Sequence, residues 1–159
     1  MNKNCFKPIS NKYSKVLILG SFPSEKSLKE GFYYGNKNNK FWKVLAKYFN
    51  EEIEDSINNK IKFLLNHNIA LWDIVKTTNL KGSNDANLKK EAFEINNIEN
   101  FLKQHKSIKT IFCNGKASFS IASKFFPAIA FIYLPSTSSA NVSFSELIWF
   151  EKLDKIYKN

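Results

Sequence analysis

Residues 16–45 read VLILGSFPSEKSLKEGFYYGNKNNKFWKVL, and this stretch decides the fold. Val16-Leu17-Ile18-Leu19 is an unbroken β-branched and Leu run closed by Gly20. That is the pattern of a strand buried on both faces of a parallel sheet. The chain then breaks at Gly20-Ser21-Phe22-Pro23-Ser24 and crosses a loop dense in Gly, Tyr and Asn. A helix is expected from Asn39, because Phe41, Val44, Leu45 and Tyr48 recur at helical spacing. The stretch also carries five lysines. A plain linker needs neither these charges nor the clustered aromatics and amides, so the loop reads as a working surface.

Outward from this stretch, strands are expected at 15–19, 69–72, 109–113 and 129–134. Helices are expected at 39–49, 53–65, 97–105 and 115–125, with a last one to 157 capped by Ser143. Residues 1–14 read as an entry arm, and 76–92, around Gly82-Ser83-Asn84-Asp85, as mostly loop. Alternating strands and helices imply right-handed crossovers, hence an α/β fold: a three-layer α/β/α arrangement on a four-stranded parallel sheet. With no repeat and no interdomain linker, residues 1–159 are expected to form a single domain. Ligands of such sheets bind beyond the carboxyl ends of the strands. That edge should gather 20–24, 73–77, 114–116 and 135–141.

Composition narrows the function. The 159 residues carry a formal net charge of +10, and all 24 basic residues are Lys. Residues 1–50 hold ten lysines against Glu25 and Glu30, a net of +8. A basic face beside the odd loop points to a polyanionic partner, against the plainer alternative of a solvated lysine surface. Without Arg the chain lacks the bidentate fork that reads guanine, whereas lysines bind phosphates as point charges, so sequence-independent DNA binding fits. No apolar run reaches the ~20 residues of a membrane span, and residues 1–10 have no signal-peptide core. Cys5 and Cys113 are expected as free thiols, and a cytoplasmic, monomeric protein with no membrane partner is expected. No His/Cys/Asp/Glu grouping has metal spacing, and no Ser/His/Asp logic is present, so no metal and no cofactor is expected. Twenty Asn dilute the meaning of any one of them, so position has to carry the argument.

The cradle Gly20, Ser21, Phe22, Pro23 and Ser24 can offer backbone N–H groups to an anion or oxyanion. It lacks Walker spacing, and so does Gly115-Lys116-Ala117-Ser118, with Ala117 where Ser or Thr is needed. Of Tyr33 and Tyr34, one is expected in the core and Tyr34 facing a base. Phe41 and Trp42 are expected in the core. Lys37, Lys40 and Lys116 are candidate phosphate contacts, as is the hydroxyl run Pro135, Ser136, Thr137, Ser138 and Ser139. Asp73 follows the second strand and can contact base or water, or cap the segment after it.

GSFPS (20–24), GFYYGN-x-x-N-x-FW (31–42), ALWD (70–73) and LPSTSSAN (134–141) together resemble the uracil-DNA glycosylase superfamily, in particular its DNA-deoxyinosine (hypoxanthine-DNA) glycosylase branch. The resemblance runs from Lys15 to the last helix. It implies a base-flipping, monofunctional DNA repair enzyme that hydrolyses the N-glycosidic bond of deaminated bases. Better-known members of the superfamily hold the attacking water with an Asp or Asn two residues after the motif's Gly. Here that position is Phe22, whose ring cannot orient water. The branch shares this loss and implies an Asn further along the loop: by register Asn39, with Asn36 or Asn38 as the alternative water-holding group. The alternatives are uracil or mismatch-type excision, a bifunctional enzyme with a Lys nucleophile, and an inactive DNA-binding homologue.

Overall fold

In a computed structural model, which describes residues 3–78 and 93–158, the buried run becomes β2 (Val16–Gly20), every residue of it buried. It is the second strand of a four-stranded sheet ordered β3-β2-β6-β7. β3 is Ile69–Asp73, β6 is Thr110–Asn114 and β7 is Ile132–Leu134. All three pairings are parallel, with Gly20 opposite Asp73 and Asn114 opposite Leu134. The register therefore brings the ends of all four strands to one edge.

Alternation within β2 sends side chains to two cores. Val16 and Ile18 join Phe41, Leu45, Leu64 and Trp149 on one face. Leu17 and Leu19 join Phe22, Ile74, Phe101 and Ile121 on the other. α2 (Phe41–Phe49), α3 (Ile57–Asn66) and α6 (Glu146–Tyr157) supply the first layer, and α4 (Ile98–Gln104) and α5 (Lys116–Phe125) the second. The expected three-layer architecture with four parallel strands is the observed one.

Several element boundaries differ from expectation, each for a local reason. The segment after Gly20 contains a helix, α1 (Glu25–Glu30), because Ser24 caps it by accepting the Ser27 N–H and Gly31 closes it at φ 82°. The α3 helix starts at Ile57, where Ser56 accepts the Asn59 N–H, and not at 53. The α6 helix is capped by Ser145 and not by Ser143. Strand β7 is shorter than 129–134. The entry arm is partly ordered as a strand: β1 (Lys3–Asn4) pairs antiparallel with β4 (Val75–Thr78), which pairs with β5 (Phe93–Ile95). The expected loop 76–92 is thus strand at its start, while 79–92 lie outside the described residues. No helix among the described residues is long and apolar enough to cross a membrane.

Candidate active site

The carboxyl edge of the sheet opens into a cleft of about 540 Å³, lined by the cradle, Tyr34, Asn39, Asp73, Asn114 and the serines after β7. Gly20 forms its floor. A Cβ there would lie 2.5 Å from Asp73 Oδ1 and 2.8 Å from the Tyr34 hydroxyl, so the absent side chain is what lets both groups approach. Asp73, 4% exposed, ends β3, and its carbonyl accepts the Asn96 side-chain N–H at 2.7 Å. Burial pushes the hydroxyl of Tyr33 and the thiol of Cys5 above their ordinary pKa, and the Asp73 carboxylate adds to the rise in both, with an Asn96 hydrogen bond pulling Cys5 the other way.

Both tyrosines of the aromatic pair line the cleft, and they differ in burial. Tyr33 is buried, and its hydroxyl donates to the Lys7 carbonyl at 2.7 Å. Tyr34 takes a left-handed backbone, φ 52°, which turns its ring into the cleft wall, stacked on Phe41 with ring centroids 4.1 Å apart. Its hydroxyl accepts from Asn114 Nδ2 at 3.2 Å. Phe41 is fully buried, and Trp42 is half-buried with its indole N–H on the Tyr33 carbonyl.

Asn39 stands just before α2, its Oδ1 accepting the Phe41 N–H at 2.9 Å. Asn36 also lines the cleft, and Asn38 does not. In the cradle, the Phe22 ring packs into the second core while the residue also lines the cleft. The Ser24 hydroxyl is used as a helix cap. Among the described residues, no internal hydrogen bond takes the N–H of Phe22 or Ser24, so both amides remain usable by a ligand.

The loop after β7 is rigidly tied. Thr137 is fully buried; its N–H donates to Asn114 Oδ1 at 3.1 Å, its Oγ1 accepts from Asn114 Nδ2 at 2.9 Å, and its carbonyl accepts the Lys40 N–H. The carbonyl of Pro135, itself buried, accepts the Trp149 indole N–H at 2.8 Å. The side chains of Pro135 and Thr137 therefore face inward, and Ser136, Ser138 and Ser139 are the accessible members of the run. Lys37, Lys40 and Lys116 are exposed, and none of the three lines the cleft.

Two participants carried only weak sequence signals. Asn114 looked like part of a tight turn, yet its amide joins Tyr34 to Thr137. Only its place at the end of a parallel strand could have flagged it. Val142 is 98% exposed two residues past Ala140, which lines the cleft, on a loop held by Asn141 Nδ2 donating to the Ser136 carbonyl and Asn141 Oδ1 accepting the Ser143 N–H. One apolar residue among hydroxyls and amides was its signal.

Comparison with known proteins agrees with this architecture. The family described as the uracil DNA glycosylase superfamily matches residues 8–157. The chain belongs to the uracil DNA glycosylase superfamily. It is 32% identical over 152 residues to a hypoxanthine DNA glycosylase of Methanosarcina acetivorans, covering 92% of each chain. It is 34% identical over 120 residues to a hypoxanthine DNA glycosylase of Methanosarcina barkeri, covering 74% of each. A solution NMR structure of a candidate uracil DNA glycosylase from M. acetivorans superposes with a TM-score of 0.80 at 28% identity, over 99% of this chain and 98% of that one.

Proposed function

We propose that the protein is a monofunctional DNA glycosylase acting on deaminated bases, hypoxanthine in deoxyinosine foremost. The observation that carries this reading is a buried carboxylate, Asp73, beside the stacked ring of Tyr34 in a cleft of base-binding size. An ionised carboxylate only accepts hydrogen bonds. It accepts the N1–H of hypoxanthine and is repelled by the N1 lone pair of adenine, a difference of about 1–3 kcal/mol for one buried polar contact. The relatives named hypoxanthine DNA glycosylase support the same substrate.

In this mechanism exposed lysines hold the phosphates, and Val142 enters the stack as the damaged nucleotide leaves it. Flipping is cheapest at weakened pairs. Tyr34 stacks on the flipped base, and the N–H groups of Phe22 and Ser24 donate to O6 as negative charge develops on the leaving purine. Asn39 orients a water against C1′. The C1′–N9 bond breaks, the water oxygen bonds to C1′, one water proton passes to solvent, and the base leaves with its electron pair on N9. An oxocarbenium-like centre needs a positioned water more than a strong nucleophile, so the loss of a motif carboxylate at Phe22 is tolerated. That loss also disfavours uracil. No lysine lines the cleft among the described residues, which supports water over an amine nucleophile.

The test is incubation with duplexes bearing deoxyinosine or deoxyuridine, followed by alkaline cleavage at abasic sites. Deoxyinosine strands are expected to be cut, and Asn39→Ala to abolish cutting while binding DNA as before. Uncut deoxyinosine strands reject the substrate, and an active Asn39→Ala rejects the role of Asn39.

A further inference from the structure

A second depression of about 850 Å³ runs beside the cleft and shares Tyr34, Asn36 and Asn39 with it as a common wall. We propose that this groove is a track for single-stranded DNA, holding the nucleotides on one side of the flipped one; the proposal rests on the glycosylase reading.

Three observations support it. The groove carries Lys26, Lys37, Lys43 and Lys60 against Glu30 and Asp55. Asp55 is already paired with Lys60 at 3.2 Å, whereas Lys26, Lys37 and Lys43 form no ion pair among the described residues. The surplus is positive, as a phosphate chain requires. The groove also has an apolar side. Trp42, half-buried with its indole N–H on the Tyr33 carbonyl and Lys60 Nζ 5.4 Å over its ring, lines the groove together with Ile57, which is 44% exposed. Finally, the groove is continuous with the cleft through residues already placed at the flipped base.

Lysines with apolar side chains in one groove favour an unpaired strand. A duplex presents phosphates but hides its base faces in the stack. A single strand presents both, and its bases settle on apolar surface without regard to sequence. Lysine as a point charge adds no base-edge reading, so the track is indifferent to the flanking sequence. The enzyme is therefore expected to excise from unpaired DNA, with a requirement for flanking nucleotides on one side only.

The experiment uses single-stranded oligonucleotides with one deoxyinosine, trimmed stepwise from either end. Trimming one flank below about four nucleotides is expected to raise KM severalfold, and trimming the other to change it little. The double variant Lys26→Gln/Lys43→Gln, checked for wild-type thermal melting, is expected to lose that asymmetry. Its log–log salt slope for single strands should be shallower by about 1.4, at ~0.7 per lost phosphate contact. Equal dependence on both flanks, or a variant with unchanged single-strand affinity, overturns the proposal. Weakening confined to duplex substrates also overturns it, because the lysines then serve paired phosphates. If no substrate releases base, the activity itself fails and the track is judged by anisotropy of labelled thymidine oligonucleotides. There, weaker binding by the double variant supports the track and equal binding overturns it.

Discussion

Gly20 sets the tightest steric condition in the cleft, and it does so through space. Its backbone is not among the positive-φ glycines, so no conformational freedom is at stake. A methyl group there meets Asp73 Oδ1 at 2.5 Å and the Tyr34 hydroxyl at 2.8 Å, closer than real Cβ contacts come. The strand cannot retreat, because Gly20 ends β2 in register with Asp73 of β3 and every residue of β2 is buried. The two functional groups must move instead. Gly20→Ala is therefore expected to keep its fold by circular dichroism and to lose about 100-fold in base release, the usual cost of displacing a reacting geometry by about 1 Å. Activity within threefold of wild type would show that neither Asp73 nor Tyr34 needs its present position. Tyr34 itself holds a left-handed backbone that costs a non-glycine residue about 1–2 kcal/mol, offset by its stacking on Phe41.

At the scale of elements, the cleft is closed by hydrogen bonds that join segments far apart in sequence. Asn114 at the end of β6 reaches Tyr34 in the aromatic loop and Thr137 after β7, while the Thr137 carbonyl takes the Lys40 N–H beside Asn39. Asn114→Ala removes three bonds and leaves the fully buried Thr137 with an unmet N–H. A loss of about 2–3 kcal/mol in denaturant unfolding is expected, with base release falling further than the fraction unfolded accounts for. A variant whose activity merely tracks its unfolding would reduce this linkage to structural support. Such linkages mark the limit of what the sequence discloses. The parallel strands were legible because residues 16–19 and 69–72 are continuous apolar runs. Phe22 and Asn39 were singled out through the family resemblance, and they lie just after β2 and just before α2. The α1 helix was not, since a six-residue helix with one buried residue, Ser27, has no apolar periodicity to show. The β1-β4-β5 sheet was not, since two to four residues per strand leave no alternation to read. Asn114 was one of twenty asparagines until the register brought it opposite Leu134.

Across the whole molecule, the sheet separates two apolar layers, and Cys113 on β6 lies fully buried in the second, among Leu19, Ile121 and Ala122. Burial pushes its thiol up to about 12, with the Ser118 hydroxyl pulling the other way. The sign follows from proton counts. Above the ordinary value of 9.0 the unfolded chain releases this proton and the folded chain keeps it, so folding becomes less favourable as pH rises. The stability is present in full below pH 9 and is lost toward pH 12, at up to about 1.4 kcal/mol per pH unit from this one group. Cys5, half-buried on the entry arm, is raised as well but lies outside the sheet. Denaturant melts at pH 8, 9 and 10 are expected to shift downward, and less so for Cys113→Ala, which removes the titrating group. In native protein at pH 8 a thiol reagent should modify Cys5 first, and Cys113 only at the rate of global unfolding. Rapid modification of Cys113 in the folded state would mean that the second layer opens locally, and with it the wall that carries Phe22 and the cradle.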